Sequence, residues 1–144
     1  SAVAAAYAAG STADAVTFLQ SGTGATSRSV QSRLREMVSV LDFGAAGDGI
    51  QDDTAHIQAA LDAISSTGGE IYLPRGTYKI TSTLTWGNGT KIVGCGYDSL
   101  IKGESLTVPL LQSKGGSTSR RYRLHIEDLG IDNVSRAATG GNRP

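Results

Sequence analysis

The sequence predicts a mainly β chain whose short strands stack as coils behind a single covering helix. Three observations carry that expectation. Short apolar runs recur from Gly69 onward between glycine-rich turns. An amphipathic helical pattern stands immediately before them. Glycine is abundant, at 19 residues against 3 prolines, which suits many tight turns between short strands.

The helix is the clearest element. Ile57, Ala60, Leu61 and Ile64 fall at i, i+3, i+4 and i+7, one face of a helix. Asp52, Asp53 and Thr54 precede it and are residue types whose oxygens accept the free N–H groups of a first turn. Ser65-Ser66-Thr67 weakens the pattern and Gly68-Gly69 ends it. Upstream, the short apolar run Ser39-Val40-Leu41 leads into the acidic, glycine-rich turn Gly44–Gly49. A strand run into a turn and then a one-faced helix reads as a lid over one end of a sheet.

Beyond the helix the period changes. Ile71-Tyr72-Leu73 is a short β run stopped by Pro74, and Arg75-Gly76-Thr77 turns the chain into Tyr78-Lys79-Ile80-Thr81. Leu84, Lys91-Ile92-Val93, Leu100-Ile101, Val108–Leu111, Leu124-His125-Ile126 and Leu129-Gly130-Ile131 continue the series. Gly87-Asn88-Gly89, Gly94-Cys95-Gly96, Lys114–Ser117 and Asp132-Asn133 separate them. Related positions recur at roughly 20 residues, the spacing of solenoid coils. A β-sandwich also uses short strands but gives no reason for the helix at Thr54.

The segment before the helix divides in two. Residues 1–27 are small and polar and end in the turn-rich linker Ser21–Ser27. Residues 28–38 carry Val30, Leu34, Met37 and Val38 at i, i+4, i+7 and i+8, which reads as the core of a helical neck over 28–41. That stripe is too short for a lone coiled coil. Either three copies bury it around an axis or it packs on its own coils. Ser1–Ala9 lacks the basic start and the longer apolar core of a signal peptide, and reads as a short helix or extended arm that orders against a partner. A chain opening on Ser1 reads as processed or truncated.

Composition narrows the chemistry. With 144 residues the chain fits one domain plus an extension, and its formal net charge of zero gives no electrostatic case for nucleic acid or an anionic membrane. No stretch approaches the ~18 apolar residues of a membrane span. The single cysteine, Cys95, forms no internal disulfide, and its setting in Ile92-Val93-Gly94-Cys95-Gly96 predicts a buried small residue rather than a reactive thiol.

No catalytic constellation is legible. Asp48, Asp52 and Asp53 lack the spacing of a calcium loop, so turn and cap duty accounts for them. Gly44–Gly49 fits neither a dinucleotide fingerprint nor a Walker loop. Glu127 and Asp128 are adjacent, so on a strand they point to opposite faces, unlike the spaced carboxylates of a glycosidase. Arg120, Arg121 and Arg123 beside His125 read as a solvated turn, with a substrate-binding role as the sharper alternative. His56 and His125 show no third zinc ligand. Asn88-Gly89-Thr90 and Asn133-Val134-Ser135 match the glycosylation sequon but carry little weight without a secretory context. No catalytic, cofactor-binding or metal residue is assigned, and no cofactor.

One set of residues resembles a known family. Asp42-Phe43-Gly44-Ala45, Gly47-Asp48-Gly49, Asp52-Asp53-Thr54, the helix Ala55–Ala63 and Gly69–Tyr78 resemble the start of the pectate-lyase-like right-handed parallel β-helix, in the form found in bacteriophage tailspikes. Phe18–Ala25 and Val30–Glu36 look like the segment that precedes the β-helix there, so the resemblance runs from about Val16 to Asp132. It implies a virion-attachment arm and linker at 1–27, a helical neck at 28–41 and capped first coils at 42–144. It implies a homotrimer docked on a phage tail or baseplate protein through residues 1–27, with host surface polysaccharide bound and cleaved by a body further along, as a lyase or glycoside hydrolase. The zero net charge and the lack of a long apolar stretch add the expectation of no nucleic-acid partner and no membrane insertion. The last coil would have an open edge, which reads as the N-terminal piece of a longer spike. Two other readings share the fold: a non-catalytic tail adaptor that hands its open coil to another fibre, and a truncated secreted enzyme.

Overall fold

The computed structural model describes residues 12–104, 108–114 and 123–133. The chain divides into two units, with the boundary after Met37.

The first unit is a hairpin and a turn of helix. β1 (Thr17–Leu19) pairs antiparallel with β2 (Ser27–Ser29), Thr17 opposite Ser29 and Leu19 opposite Ser27. α1 spans only Val30–Leu34, and its cap is Ser29, whose hydroxyl oxygen accepts from the Ser32 N–H at 3.1 Å. Glu36 gathers Arg28, at 2.5 Å, and Arg33. The helical neck expected over residues 28–41 is therefore shorter than its apolar stripe. Arg28 lies in β2, Met37 and Val38 lie in β3 (Met37–Ser39), and a tight 3-10 turn takes Val40–Phe43. A helix under two turns long gains too few hydrogen bonds to hold its ends against strand pairing on both sides. Of the arm and linker expected over residues 1–27, residues 1–11 lie outside the described residues, while Thr17–Leu19 and Ser27 belong to the hairpin.

The second unit is a parallel sheet that curls as it stacks. β4 (Asp48–Asp52) is followed by α2 (Thr54–Ile64), then β5 (Gly69–Tyr72), β6 (Gly76–Ile80) and β7 (Leu84–Trp86). Next come β8 (Thr90–Gly103), β9 (Leu111–Ser113) and β10 (Leu124–Asn133). Gly94-Cys95-Gly96, read in the sequence as a break between strands, lies inside the long bent strand β8. Its first half pairs with β5, Ile71 beside Ile92, and its second half with β6, Tyr78 beside Ile101. β10 repeats the path on the far side, with Ile126 beside Ile92 and Ile131 beside Ile101. β7 and β9 form a separate parallel pair with Leu84 beside Leu111.

These registers explain the core. Strands in parallel register put like residues on like residues, so Ile71 on Ile92 and Tyr78 on Ile101 build continuous apolar columns. All four are fully or almost fully buried, and Ile57, Ala60, Leu61 and Ile64 of α2 join the same core. The next positions up these columns, Ile126 and Ile131 on the edge strand β10, are 37% and 45% exposed. The corner of β8 is held by Ser99, fully buried, whose hydroxyl accepts from the Cys95 N–H at 2.8 Å and donates to the Leu73 carbonyl at 2.9 Å.

Candidate functional site

The acidic turn before α2 is the most specific sequence feature, and its geometry is self-contained. Asp53, fully buried, accepts from the N–H groups of Ala46 at 2.8 Å and Gly47 at 3.0 Å, and from the Gln51 side-chain amide at 3.3 Å. The paired backbone donors that a phosphate would use in Gly44–Gly49 are thus already taken by a carboxylate of the same chain. Asp53 occupies the cap position of α2 without capping it; the carboxylate turns back into the loop instead. Asp52 supplies the first-turn acceptor, taking the Thr54 N–H at 3.0 Å and the Thr81 hydroxyl at 2.6 Å. Burial works against its charge, and the hydrogen bonds from Thr54 and Thr81 outweigh it, so its pKa lies below the ordinary carboxylate value. The N–H groups of Ile50 and Gln51 do the same for Asp48. His56 sets Nδ1 2.7 Å from the Phe43 carbonyl, which identifies Nδ1 as the protonated nitrogen. Among the described residues no three His, Cys, Asp or Glu side chains gather as metal ligands.

α2 also carries a polar stripe that sequence reasoning missed. Thr54, Gln58 and Asp62, spaced i, i+4, i+8, face the segment Thr81–Thr85 and its neighbour. The Thr54 hydroxyl oxygen accepts from the Thr81 N–H at 2.9 Å. The Gln58 amide meets the Thr85 backbone twice, accepting from its N–H at 2.8 Å and donating to its carbonyl at 3.0 Å. Asp62 receives the Gln58 amide at 2.7 Å and the Lys114 ammonium at 2.6 Å, and Lys114 chiefly holds its carboxyl below the ordinary range. A primary amide presents the same donor and acceptor as a peptide group, so Gln58 stands where the next strand's backbone would stand beside β7. The apolar face of the helix was legible as a period; the polar face needs knowledge of which strand edge it meets.

On the outer face of the β5–β8–β10 sheet, charges line up across strands. Lys91 lies between Glu70 at 3.1 Å and Glu127 at 2.9 Å, and His125 Nε2 lies 3.7 Å from Glu127. Hydrogen bonds to Glu127 and Glu70 hold the Lys91 pKa above its ordinary value, and the Lys91 partner holds Glu127 below its own. An ammonium saturated by two carboxylates has no free role as acid or base. It is a cross-strand clamp over three coils. Beside it Tyr72 is raised above its ordinary pKa, chiefly by its hydrogen bond with Cys95. Cys95 itself is exposed, not buried as the sequence predicts, because its neighbours Gly94 and Ile92 take the inward positions of β8. Glu127 and Asp128 do not simply alternate: Asp128 sits at φ 51°, in a break of register between Glu127 and Leu129. Arg120, Arg121, Val134 and Ser135 lie outside the described residues.

The profile of the Rhamnogalacturonase A/epimerase, pectate lyase-like family matches residues 37–135. The chain belongs to this pectate-lyase-like family. It is 35% identical to the tail spike protein of Shigella phage Sf6 over 111 residues, 72% of this chain and 18% of that protein. It is 47% identical to mannuronan C5-epimerase AlgE2 of Azotobacter vinelandii over 71 residues, 44% of this chain and 7% of the epimerase. Tailspike protein 3 of bacteriophage CBA120 superposes with a TM-score of 0.69 at 20% identity, over 92% of this chain and 23% of that one, a likeness of fold. The chain therefore spans less than a fifth of the curated relatives' length.

Proposed function

We propose that this chain is the anchoring N-terminal portion of a phage tailspike, with its first unit at the virion and its coils leading into a polysaccharide-engaging body. One observation carries the reading. A superposition on ORF18 of Geobacillus virus E2, 29% identical and covering 83% of the chain, has to enter the unit that ends at Met37, whereas the superposition on the mannuronan C-5 epimerase AlgE4 A-module of Azotobacter vinelandii covers 66% and fits within the coils alone. A free enzyme of this fold has no need of that leading unit.

The unit's own physics supports assembly. None of its described residues is buried, and Val16, Phe18, Leu19, Leu34 and Met37 are exposed apolar groups. A segment this small holds no core by itself and gains one only by association. Three copies around an axis would bury these groups, consistent with a homotrimer docked on a tail or baseplate protein. α2 and its Gln58 contacts would then seal the start of the β-helix, while the exposed columns ending at Ile126 and Ile131 would receive the next coil.

The experiment is a deletion of residues 1–27 in the parent phage. Virions lacking the protein, together with purified deleted chain whose coils remain folded by circular dichroism, are the expected result. Normal incorporation of the deleted protein would end the attachment assignment. The epimerase identity supports a second reading, a pectate-lyase-like enzyme outside any virion; absence of the protein from purified particles would favour it.

A further inference from the structure

The turn between β7 and β8 carries two residues that neither the cap nor the clamp uses. Asn88 is followed by Gly89, and both are exposed. Gly89 holds φ at +72°, the left-handed value that a tight turn asks of glycine. The Asn88 side chain is lightly tethered. Its oxygen accepts from the Arg123 N–H at 3.3 Å, and its amide nitrogen has no partner among the described residues. The Gly89 N–H is likewise unpaired among them, and only the Gly89 carbonyl is engaged, by the Gly69 N–H at 3.1 Å.

These are the conditions for a reaction within the chain. The backbone nitrogen after an asparagine is one ring closure from the side-chain carbonyl carbon, and a glycine puts no Cβ in the way. We propose that Asn88 is a site of spontaneous deamidation. The Gly89 nitrogen attacks the Asn88 side-chain carbonyl carbon and forms a new C–N bond. The side-chain nitrogen leaves as ammonia, taking the proton that the Gly89 N–H gives up. Water then opens the five-membered succinimide at either carbonyl. Opening at the side-chain carbonyl gives aspartate. Opening at the main-chain carbonyl gives isoaspartate, whose backbone is one carbon longer.

The structure singles out Asn88 over its nearest rival and fixes the consequence. Asp48-Gly49 has the same kind of backbone, with Gly49 at φ +74°. There the Asp48 carboxylate is pinned by the N–H groups of Ile50 and Gln51, both at 2.8 Å, and an ionised carboxylate offers the attack no leaving group. At the Asn88 turn, the Gly68-Gly69 turn packs so closely that a Cβ on Gly68 would sit 3.2 Å from the Gly89 carbonyl oxygen and 3.3 Å from that of Asn88. The extra carbon of isoaspartate has no room there. It pushes the Gly89 carbonyl off the Gly69 N–H and takes the side-chain acceptor from Arg123, freeing the start of β10. Aspartate keeps the backbone and an acceptor for Arg123. The site is independent of virion attachment, so either can fail without the other.

Peptide mapping by mass spectrometry tests it, on the purified folded chain aged at mildly alkaline pH beside a free peptide of the same turn sequence. The expected result is the amide-to-acid mass gain at Asn88, faster as pH rises, in two chromatographically distinct forms, aspartate and isoaspartate. Asp48 should show no isoaspartate. Asn88→Gln should lose the gain completely, because its ring closure is six-membered and slow. Hydrogen exchange then separates the products. The isolated isoaspartate form should lose protection at the Gly69 and Arg123 amides, and Asn88→Asp should keep it. An Asn88 that stays intact in the folded chain while the free peptide converts would overturn the site. Isoaspartate at Asp48 ahead of Asn88 would overturn it too. Unchanged protection at Gly69 in the isoaspartate form would overturn the release of β10.

Discussion

Replacing Gln58 with leucine tests whether α2 seals the β7 edge by hydrogen bonding or by apolar packing alone. Leucine has nearly the volume of glutamine, so the change removes polar groups without opening a cavity. The Thr85 N–H and C=O, now 2.8 and 3.0 Å from the Gln58 amide, both lose their partner. Each orphaned backbone group costs about 1–3 kcal/mol, less where water reaches it. Thr85 is half-buried, so the sum is roughly 2–3 kcal/mol. For a unit near 100 residues that lowers Tm by about 10 °C. The only tryptophan, Trp86, follows Thr85 on β7, so its fluorescence reports this end of the solenoid directly. Gln58→Glu is the graded control. Its carboxylate still accepts from Thr85 N–H but offers nothing to the carbonyl and faces Asp62, so about half the loss is expected. Urea and thermal unfolding followed through Trp86 should rank the three proteins parent, Glu, Leu. A Gln58→Leu midpoint within 1 °C of the parent, by the same scale, would refute the strand-mimic reasoning and leave the apolar face of α2 as the whole seal.

Two further predictions follow from single contacts. A Cβ added at Gly94 would sit 2.2 Å from the Asp128 carbonyl oxygen, a clash with backbone and not with a pliable side-chain tip. Gly94→Ala should therefore dislodge β10 from β8 and expose its amides, read as faster hydrogen exchange over Leu124–Asp132 with the β5–β8 amides still protected; unchanged protection would contradict it. Asp52→Asn addresses pH. The Asp52 pKa is lowered from 3.8 in the folded state, so its contribution to stability is complete above that value and disappears as pH falls through the lower folded value. The variant should be less stable than the parent at pH 7, and the Tm gap should narrow as pH falls below 3.8 and the folded-state carboxylate takes up its proton. A gap that stays constant with pH would refute it.

Much of this fold was legible in the residues, and the misses share a cause. The apolar period of Ile57, Ala60, Leu61 and Ile64 located α2 because eleven residues give a helix room to show its face. The short strands were legible for the same reason: Ile71, Tyr78, Leu84 and Ile92 are buried where their alternation put them. The neck is helical only over Val30–Leu34, because its stripe was read without the pairing partners that draw Arg28 and Met37 into strands. Gly94-Cys95-Gly96 reads locally as a turn, and only the registers with β5 and β6 reveal one bent strand and an outward Cys95. Gln58 gave no signal at all, since glutamine on a helix is ordinary until the strand it meets is known. For the chemistry, Asp48, Asp52 and Asp53 were legible as structural carboxylates, although Asp53 serves the preceding loop and not the helix cap.

The mass of the protein isolated from its natural source, denatured and then native, tests the central claim most directly. A spike anchored by this chain predicts a denatured mass far above 14.8 kDa and a native mass three times the denatured one. A denatured mass near 14.8 kDa with a monomeric native mass would contradict it.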